Sequence, residues 1–298
     1  MSDKLKKEKI TIARLQHKKR SGMKISMLTA YDYPTARLSE EAGVDIVFVG
    51  DSLGTNVLGY HSPHQVTMND MLHHIRAVRR GVQSSFLLAD MPFLSYQSST
   101  EKAVQNAGIL LQEGGVEGVK LEGGMPVLER VEAIAKAGIP VMGHLGYNPQ
   151  YQVPDANVFN EERGTIPKIQ GKGPKGAVTL LEIGKRLQDA GAFAVVIELV
   201  TVEVASLMAE NLSIPVIGIG SGAKCDGQVL VFNDVIGLSE FELSLLTPYT
   251  RTREKWLEAI KCYRESVESE QFPAAKHCTN MAPDKFAVFQ SILKNRKK

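Results

Sequence analysis

Five short apolar runs in this chain end on a residue that can ionise or bind metal. The run 46–49 passes through Gly50 into Asp51, and 86–89 ends at Asp90. Val116-Glu117-Gly118-Val119 leads into Lys120-Leu121-Glu122, 139–143 ends at His144, and 193–197 ends at Glu198. A strand buried on both faces favours Val, Ile, Leu and Ala, so a charge in such a run is costly unless the strand has reached an open end. Five strands with polar groups at the same end predict one rim of one sheet that collects them. In parallel α/β proteins that rim is where ligands bind.

Eight strands are expected, centred on 25–28, 46–49, 86–89, 118–121, 140–143, 194–197, 215–219 and 228–232. Stretches long enough for crossover helices lie between most of them, at 66–80, 101–113, 126–137 and 177–190. A glycine recurs where a helix should end, at Ala42-Gly43, Gly114-Gly115, Ala137-Gly138 and Ala190-Gly191, the usual place of a left-handed residue. Strands alternating with helices predict a parallel sheet, and eight of them predict an α/β fold of the (β/α)8 or TIM-barrel type. Only 220–227 separates the last two strands, which leaves little room for a helix, so one unit should be irregular. Beyond the barrel, Trp256, Ile260, Tyr263 and Val267 have helical spacing within 251–268. They predict a C-terminal helical extension that packs on the barrel or on a neighbouring subunit. No Ser/Gly-rich linker intervenes, so 1–298 reads as a single domain, with its core at about 11–240 and a helical tail at about 250–298. The stretch 148–172 is rich in Pro, Gly, Asn and Gln without a period. It reads as a lid or binding loop, or as a tolerated surface insertion.

Composition narrows the class. The chain has 298 residues, 43% hydrophobic and 23% charged, as in ordinary soluble globular proteins. A net charge of +2, without an aromatic-interleaved basic patch, gives no nucleic-acid surface. The basic cluster His17-Lys18-Lys19-Arg20 reads as a solvated turn. The cysteines are Cys225, Cys262 and Cys278. They are few, odd in number and far apart, which argues against a disulfide framework or a structural zinc site and fits a reducing cytoplasm. No apolar stretch approaches the ~20 residues of a bilayer span. The N-terminus has acids among its lysines and no apolar region of the signal-peptide kind.

Asp51 and Asp90 carry the most chemical information. Two carboxylates facing one cavity repel unless a proton or cation sits between them. Mg2+ suits such a site, being hard and bound by one or two carboxylates with waters and substrate. The competing reading makes each Asp a helix cap. Lys120 and Glu122 are two apart on a strand and so share a face. Lys120 can pair with an anionic substrate while Glu122 supports the metal, or the two can form an ordinary ion pair. His144 reads as a satisfied structural residue or a catalyst. Glu198, after a long apolar run, is the better candidate base, with desolvation expected to raise its pKa. Otherwise it is a stabilising acid paired with a lysine. Gly218-Ile219-Gly220-Ser221-Gly222 lacks a clear following helix and is a poor dinucleotide fingerprint. Its glycines more naturally allow close approach of backbone to a ligand.

Several strings then match one family. Met27-Leu28-Thr29-Ala30-Tyr31-Asp32, Val49-Gly50-Asp51-Ser52-Leu53-Gly54, Val119-Lys120-Leu121-Glu122-Gly123-Gly124, Gly138-Ile139-Pro140-Val141-Met142-Gly143-His144-Leu145-Gly146 and Cys225-Asp226-Gly227-Gln228-Val229-Leu230 together resemble ketopantoate hydroxymethyltransferases. The resemblance covers about 11–277, in order. It implies a (β/α)8 barrel enzyme of pantothenate biosynthesis. Such an enzyme transfers a hydroxymethyl group from 5,10-methylenetetrahydrofolate to 3-methyl-2-oxobutanoate, giving 2-dehydropantoate by way of an Mg2+-stabilised enolate.

Position by position, the resemblance implies metal roles for Asp51 and Asp90, with Glu122 as the third metal-associated acid. Ser52 and Lys120 fall on keto-acid-binding positions, where Asp51 and Asp90 also bear on the substrate. Glu198 falls on the general base. It also implies a homo-oligomer, a decamer. The charge, hydropathy and cysteine usage add the expectation of a cytoplasmic protein with no nucleic-acid or membrane partner. The sequence departs from the family at Glu198-Leu199-Val200-Thr201, where Glu-Cys-Val-Pro is usual. It departs again at Tyr147-Asn148-Pro149-Gln150, where Leu-Thr-Pro-Gln is usual, and at His61, where an acid is common. These changes bear on the folate pocket and lid rather than on the metal or base positions. Two rivals remain. One is a carbon–carbon lyase of the isocitrate lyase and phosphoenolpyruvate mutase kind, which usually carries an active-site loop cysteine. The other is a non-enzymatic barrel kept for binding.

Overall fold

Eight parallel strands close on themselves in chain order. The computed structural model describes residues 8–151, 169–239 and 248–296. Its strands are β1 (Ile25–Thr29), β2 (Ile46–Val49), β3 (Phe86–Asp90), β4 (Gly118–Glu122), β5 (Val141–Gly146), β6 (Ala194–Glu198), β7 (Val216–Ile219) and β8 (Gly227–Leu230), and β8 pairs back onto β1. All eight expected strands are present. The largest change is at β5, which continues through His144 to Gly146. As the short connection required, no helix separates β7 from β8.

Helix α1 (Ile12–Arg20) precedes the barrel. Helices α2 (Tyr33–Ala42), α3 (Leu53–Asn56), α4 (Met68–Gly81), α5 (Thr100–Ile109), α6 (Leu128–Lys136), α7 (Pro174–Asp189), α8 (Val202–Asn211) and α9 (Phe232–Val235) follow the strands in turn. Their ends are chemically marked. Asp32 with Thr35 and Thr67 with Asp70 form capping boxes on α2 and α4, satisfying first-turn amides. Gly43, Gly115, Gly138 and Gly191 all take positive φ, as their sequence positions implied. Residues 1–7 and 152–168 fall outside the described residues, and with them the N-terminal reading and most of the expected lid.

The pleat sorts side chains into two cores. Val47, Leu87, Val119, Val141 and Val195 pack outward against the helices. Met27, Phe48, Leu88, Met142, Val196 and Val229 fill the barrel interior. Leu15 of α1 joins the interior set and helps close one end. The basic cluster is therefore no free turn. It is the last turn of α1, where Lys18 Nζ lies 2.5 Å from Asp45 and Lys19 Nζ 2.6 Å from Asp226. Both acids stand just before strands, β2 and β8. With that end shut, the C-terminal strand ends become the accessible end of the barrel.

One acid outside the site should govern acid stability. Glu40, buried in α2, accepts hydrogen bonds from the Ser84 hydroxyl and from the backbone N–H groups of Ser84 (2.7 Å) and Ser85 (3.1 Å). Burial alone would raise its pKa. These donors outweigh burial and bring it from the ordinary 4.5 to about 2. A pKa lower in the folded state adds stability above the unfolded value, and this is lost as pH falls toward 2. Glu40→Gln should cost roughly 2–3 kcal/mol at pH 7, and the gap to wild type should narrow at pH 3. Urea unfolding at the two pH values checks this, and a pH-independent gap would contradict it.

A second compact unit holds α10 (Thr252–Glu268) and α11 (Pro283–Asn295). On α10 the expected stripe is present and exposed, with Trp256 at 55%, Ile260 at 64% and Tyr263 at 60%. From its spacing that stripe was expected to pack on the barrel or on a neighbouring subunit. Within the unit, Tyr263 meets Phe272 edge-on at 5.8 Å between ring centres. Helix α11 also falls within the helical tail expected at about 250–298.

Candidate active site

The rim expected from the five runs exists. Asp90, Lys120, Glu122, His144 and Glu198 stand at or near the C-terminal ends of β3 to β6, and Asp51 follows β2 by two residues. Together with Ser52 they line one cavity of about 140 Å3, whose apolar walls include Met27, Phe48, Val196, Ile219, Val229 and Leu230. A larger surface depression of about 420 Å3 near Leu72, Arg76 and Glu113 has Glu113 as its one acid and gathers no comparable chemistry.

Register explains the convergence. Residues 120 and 122 share the inner face of β4, and Lys120 pairs in register with Asp90. Glu122 pairs with His144, and Glu198 with Gly146. Gly146 has φ 93°, and a Cβ there would lie 2.2 Å from the Glu198 carbonyl oxygen. Only glycine permits the approach that seats Glu198 beside the end of β5.

The polar groups form a connected set. The Asp51 N–H donates to Asp90 Oδ2 at 3.0 Å, and Lys120 Nζ lies 2.7 Å from Asp90 Oδ1. Lys120 Nζ is also 3.3 Å from His144 Nδ1 and 5.2 Å from the centre of the Phe48 ring. His144 Nδ1 is 3.5 Å from Glu122 Oε1, and its Nε2 is 3.3 Å from Glu198 Oε2. The Ser52 and Tyr31 hydroxyls are 2.8 Å apart. Side chains of Asp90, Glu122 and His144 are 2–3% exposed, whereas that of Glu198 is 22% exposed. Glu198 is therefore less desolvated than its apolar run suggested, and it faces whatever occupies the mouth.

Burial and like charge shape the protonation states. Asp51 sits well above the usual carboxylate range, first through burial and then through the charges of Asp90 and Glu122. Burial opposes the charge on Lys120, but Asp90, Glu122 and Asp51 outweigh it and hold the ammonium above its ordinary pKa. Burial and Lys120 would lower His144, but hydrogen bonding to Glu122 and Glu198 pushes it up to about 9. His144 is thus an imidazolium held between two acids at neutral pH.

Two buried atoms of the residues lining this cavity lack a well-formed hydrogen bond, Asp90 Oδ1 and His144 Nε2. Each has an ionic neighbour only. Acids outnumber cations in this cavity by four to two, so added positive charge would relieve it. Asp51 and Asp90 offer hard carboxylate oxygens, the donor set that Mg2+ prefers. Among the described residues no three acids, histidines or cysteines are spaced as a ready-made metal cage. A cation here would complete its shell with substrate and water, the usual habit of Mg2+. The residues fit such an ion.

Sequence reasoning missed two members. Gln150, on a short turn at Pro149–Tyr151, places its amide against Asp51, and the Tyr96 hydroxyl meets that amide. The Gly218–Gly222 string serves local structure. Gly220 and Gly222 take positive φ, and the Ser221 hydroxyl donates to the Ile197 carbonyl at 2.9 Å. Cys225 is fully buried, and burial pushes its thiol pKa up. It does not supply the loop cysteine of the lyase rival.

The comparisons decide the family. A model of the ketopantoate hydroxymethyltransferases matches residues 9–275. The chain belongs to that family. A relative from Carboxydothermus hydrogenoformans, called 3-methyl-2-oxobutanoate hydroxymethyltransferase, is 48% identical over 278 residues, 93% of this chain and 98% of that protein. Relatives of the same name from Clostridium novyi and Pseudothermotoga lettingae are 46% and 50% identical, over 96% and 84% of this chain and 98% and 91% of their own lengths. A solved phosphoenolpyruvate phosphomutase from Streptomyces platensis superposes with TM-score 0.58 at 15% identity, covering 96% of this chain and 97% of its own. A phosphonopyruvate hydrolase solved with oxalate and Mg2+ gives 0.55 at 12%, covering 96% of each chain. At those identities the likeness is one of fold. Among the described residues of this family member, no helix is long and apolar enough to cross a membrane.

Proposed function

We propose that this chain transfers a hydroxymethyl group from 5,10-methylenetetrahydrofolate to 3-methyl-2-oxobutanoate, giving 2-dehydropantoate for pantothenate synthesis in the cytoplasm. The observation that carries the reading is the meeting of Asp51, Asp90, Lys120, Glu122 and Glu198 on one small cavity with an apolar wall. About 140 Å3 is well under the ~300–1,000 Å3 of sites for drug-sized ligands. It suits a short branched keto acid and leaves the folate to the open side.

Asp51 and Asp90 would hold the divalent cation, and Glu122 adds a third negative charge near both. A bound Mg2+ supplies Lewis-acid stabilisation of the charge that develops on the keto oxygen. Lys120 and Ser52 bind the substrate carboxylate, with the Tyr31 hydroxyl orienting Ser52. Val196, Ile219 and Val229 receive the isopropyl group and keep water from its face. Glu198 takes the proton from C3, and the C3–H electron pair becomes the enolate double bond. His144, charged and 3.3 Å away, fixes the Glu198 carboxylate. The enolate carbon then bonds to the folate one-carbon unit as one of its two carbon–nitrogen bonds breaks, and water supplies the hydroxyl oxygen as the second breaks. The proton from C3 and one from water end on the two freed nitrogens of the departing tetrahydrofolate.

Exchange at C3 tests this directly. With 3-methyl-2-oxobutanoate in D2O and no folate, the enzyme should exchange C3–H when Mg2+ is present and lose exchange with a chelator. Equal exchange with and without the metal, or none under either condition, would overturn the reading.

A further inference from the structure

Gln150 uses every polar atom it has. Its backbone N–H donates to Glu122 Oε2 at 2.9 Å, and its carbonyl lies 2.9 Å from His64 Nε2. Its side-chain nitrogen donates to Asp51 Oδ2 at 2.8 Å and to the Met91 carbonyl at 3.0 Å. Its side-chain oxygen accepts from the Tyr96 hydroxyl at 2.6 Å and from the Gln97 amide at 3.1 Å. The residue is 2% exposed. Two acceptors face the nitrogen and two donors face the oxygen, so the amide has one workable orientation.

Asp51 needs such a partner. It lies beyond β2, where no ladder hydrogen bond fixes it, and it is repelled by Asp90 and Glu122. Left alone, its carboxylate would turn away from them. Gln150 holds one oxygen and leaves Oδ1 free of the amide. Tyr96 accepts from the Glu122 N–H at 3.1 Å and donates to Gln150, so one hydroxyl ties the amide to the end of β4.

We propose that Gln150, locked by Tyr96, is a positioning residue that aims Asp51 and Glu122 into the cavity and thereby sets the affinity for a divalent cation. The inference rests on the reading of Asp51 and Asp90 as the cation's holders. Partners that orient ligating carboxylates typically change metal affinity by 10–100-fold.

Mn2+ reports on such an oxygen site in place of Mg2+. Its affinity can be measured by paramagnetic resonance for wild type, Asp51→Ala, Gln150→Met and Tyr96→Phe, each with and without 3-methyl-2-oxobutanoate. Thermal unfolding of the metal-free proteins is recorded alongside. Gln150→Met keeps length and burial but removes the amide. It should weaken Mn2+ by about 10–100-fold, and Tyr96→Phe should weaken it less, in proteins that remain folded. If wild type binds Mn2+, Asp51→Ala loses it and Gln150→Met keeps wild-type affinity, the inference fails while the cation reading stands. If wild type binds no Mn2+, or Asp51→Ala binds as wild type does, the cation reading fails and takes the inference with it. Should Gln150→Met not fold, Tyr96→Phe decides, and unchanged affinity there overturns the proposal.

Discussion

Asp51→Ala should lower Mg2+-dependent C3–H exchange by at least about 10²-fold, since Lewis-acid stabilisation is worth several kcal/mol in the transition state. The same change should leave the metal-free protein as stable as wild type, or more so. Asp51 is buried, its carboxylate is disfavoured by burial and by two neighbouring acids, and among the described residues no lysine or arginine sits at ion-pair distance from it, Lys120 being paired with Asp90 instead. Removing it relieves the repulsion from Asp90 and Glu122. Asp90→Ala should stop exchange equally but cost stability. It strips the 2.7 Å partner from a buried lysine, and breaking a buried pair from one side costs about 3–5 kcal/mol. Thermal unfolding without metal, beside exchange assays with it, separates the two variants. Retained Mg2+-dependent exchange in either would remove that aspartate from the site.

That contrast was hidden in the sequence. A place at a strand end does not tell which aspartate has a buried partner. In the fold the Pro149–Tyr151 turn reaches over them, and Gln150 seals Asp51 from a position 99 residues away in the chain. The strand ends themselves were legible because parallel strands are buried on both faces, where a charge stands out against Val, Ile and Leu. The two-residue spacing of Lys120 and Glu122 placed them on one face for the same reason. Gln150 and Tyr96 carried no such contrast. An amide in a Pro-Asn-Gln loop and a tyrosine among serines look like their neighbours until tertiary contacts assign them partners. The left-handed glycines were legible because a helix end limits the residue that can follow it. Helix α11 was legible only as part of a helical tail, because the one stripe that marked that tail ends at Val267 and set no separate bounds for a second helix.

Glu198→Gln should slow C3–H exchange by about 10²–10⁴-fold, the usual contribution of a general base, while the cation and keto acid still bind. The amide keeps the shape of the carboxylate and its reach to the cavity, but it has no lone pair basic enough to take the proton. Glu198 suits the role through its position as much as its charge. It is the most exposed acid of the set, it lines the cavity, and its backbone is fixed by the Tyr147 N–H bond to its carbonyl at 2.8 Å. The other group within reach is His144, which at a pKa of about 9 already holds its proton and cannot accept another. Its charge instead holds the Glu198 carboxylate in place across 3.3 Å. Replacing Glu198 removes one of the two acids that hold that imidazolium, so His144 should titrate at lower pH in the variant. Exchange near the wild-type rate in Glu198→Gln would then assign the base to His144. Loss of keto-acid binding along with exchange would make Glu198 a substrate-positioning group. The expected outcome is slow exchange with binding intact, because the proposed reading gives the substrate carboxylate to Lys120 and Ser52, on β4 and after β2, and the proton transfer to the end of β6.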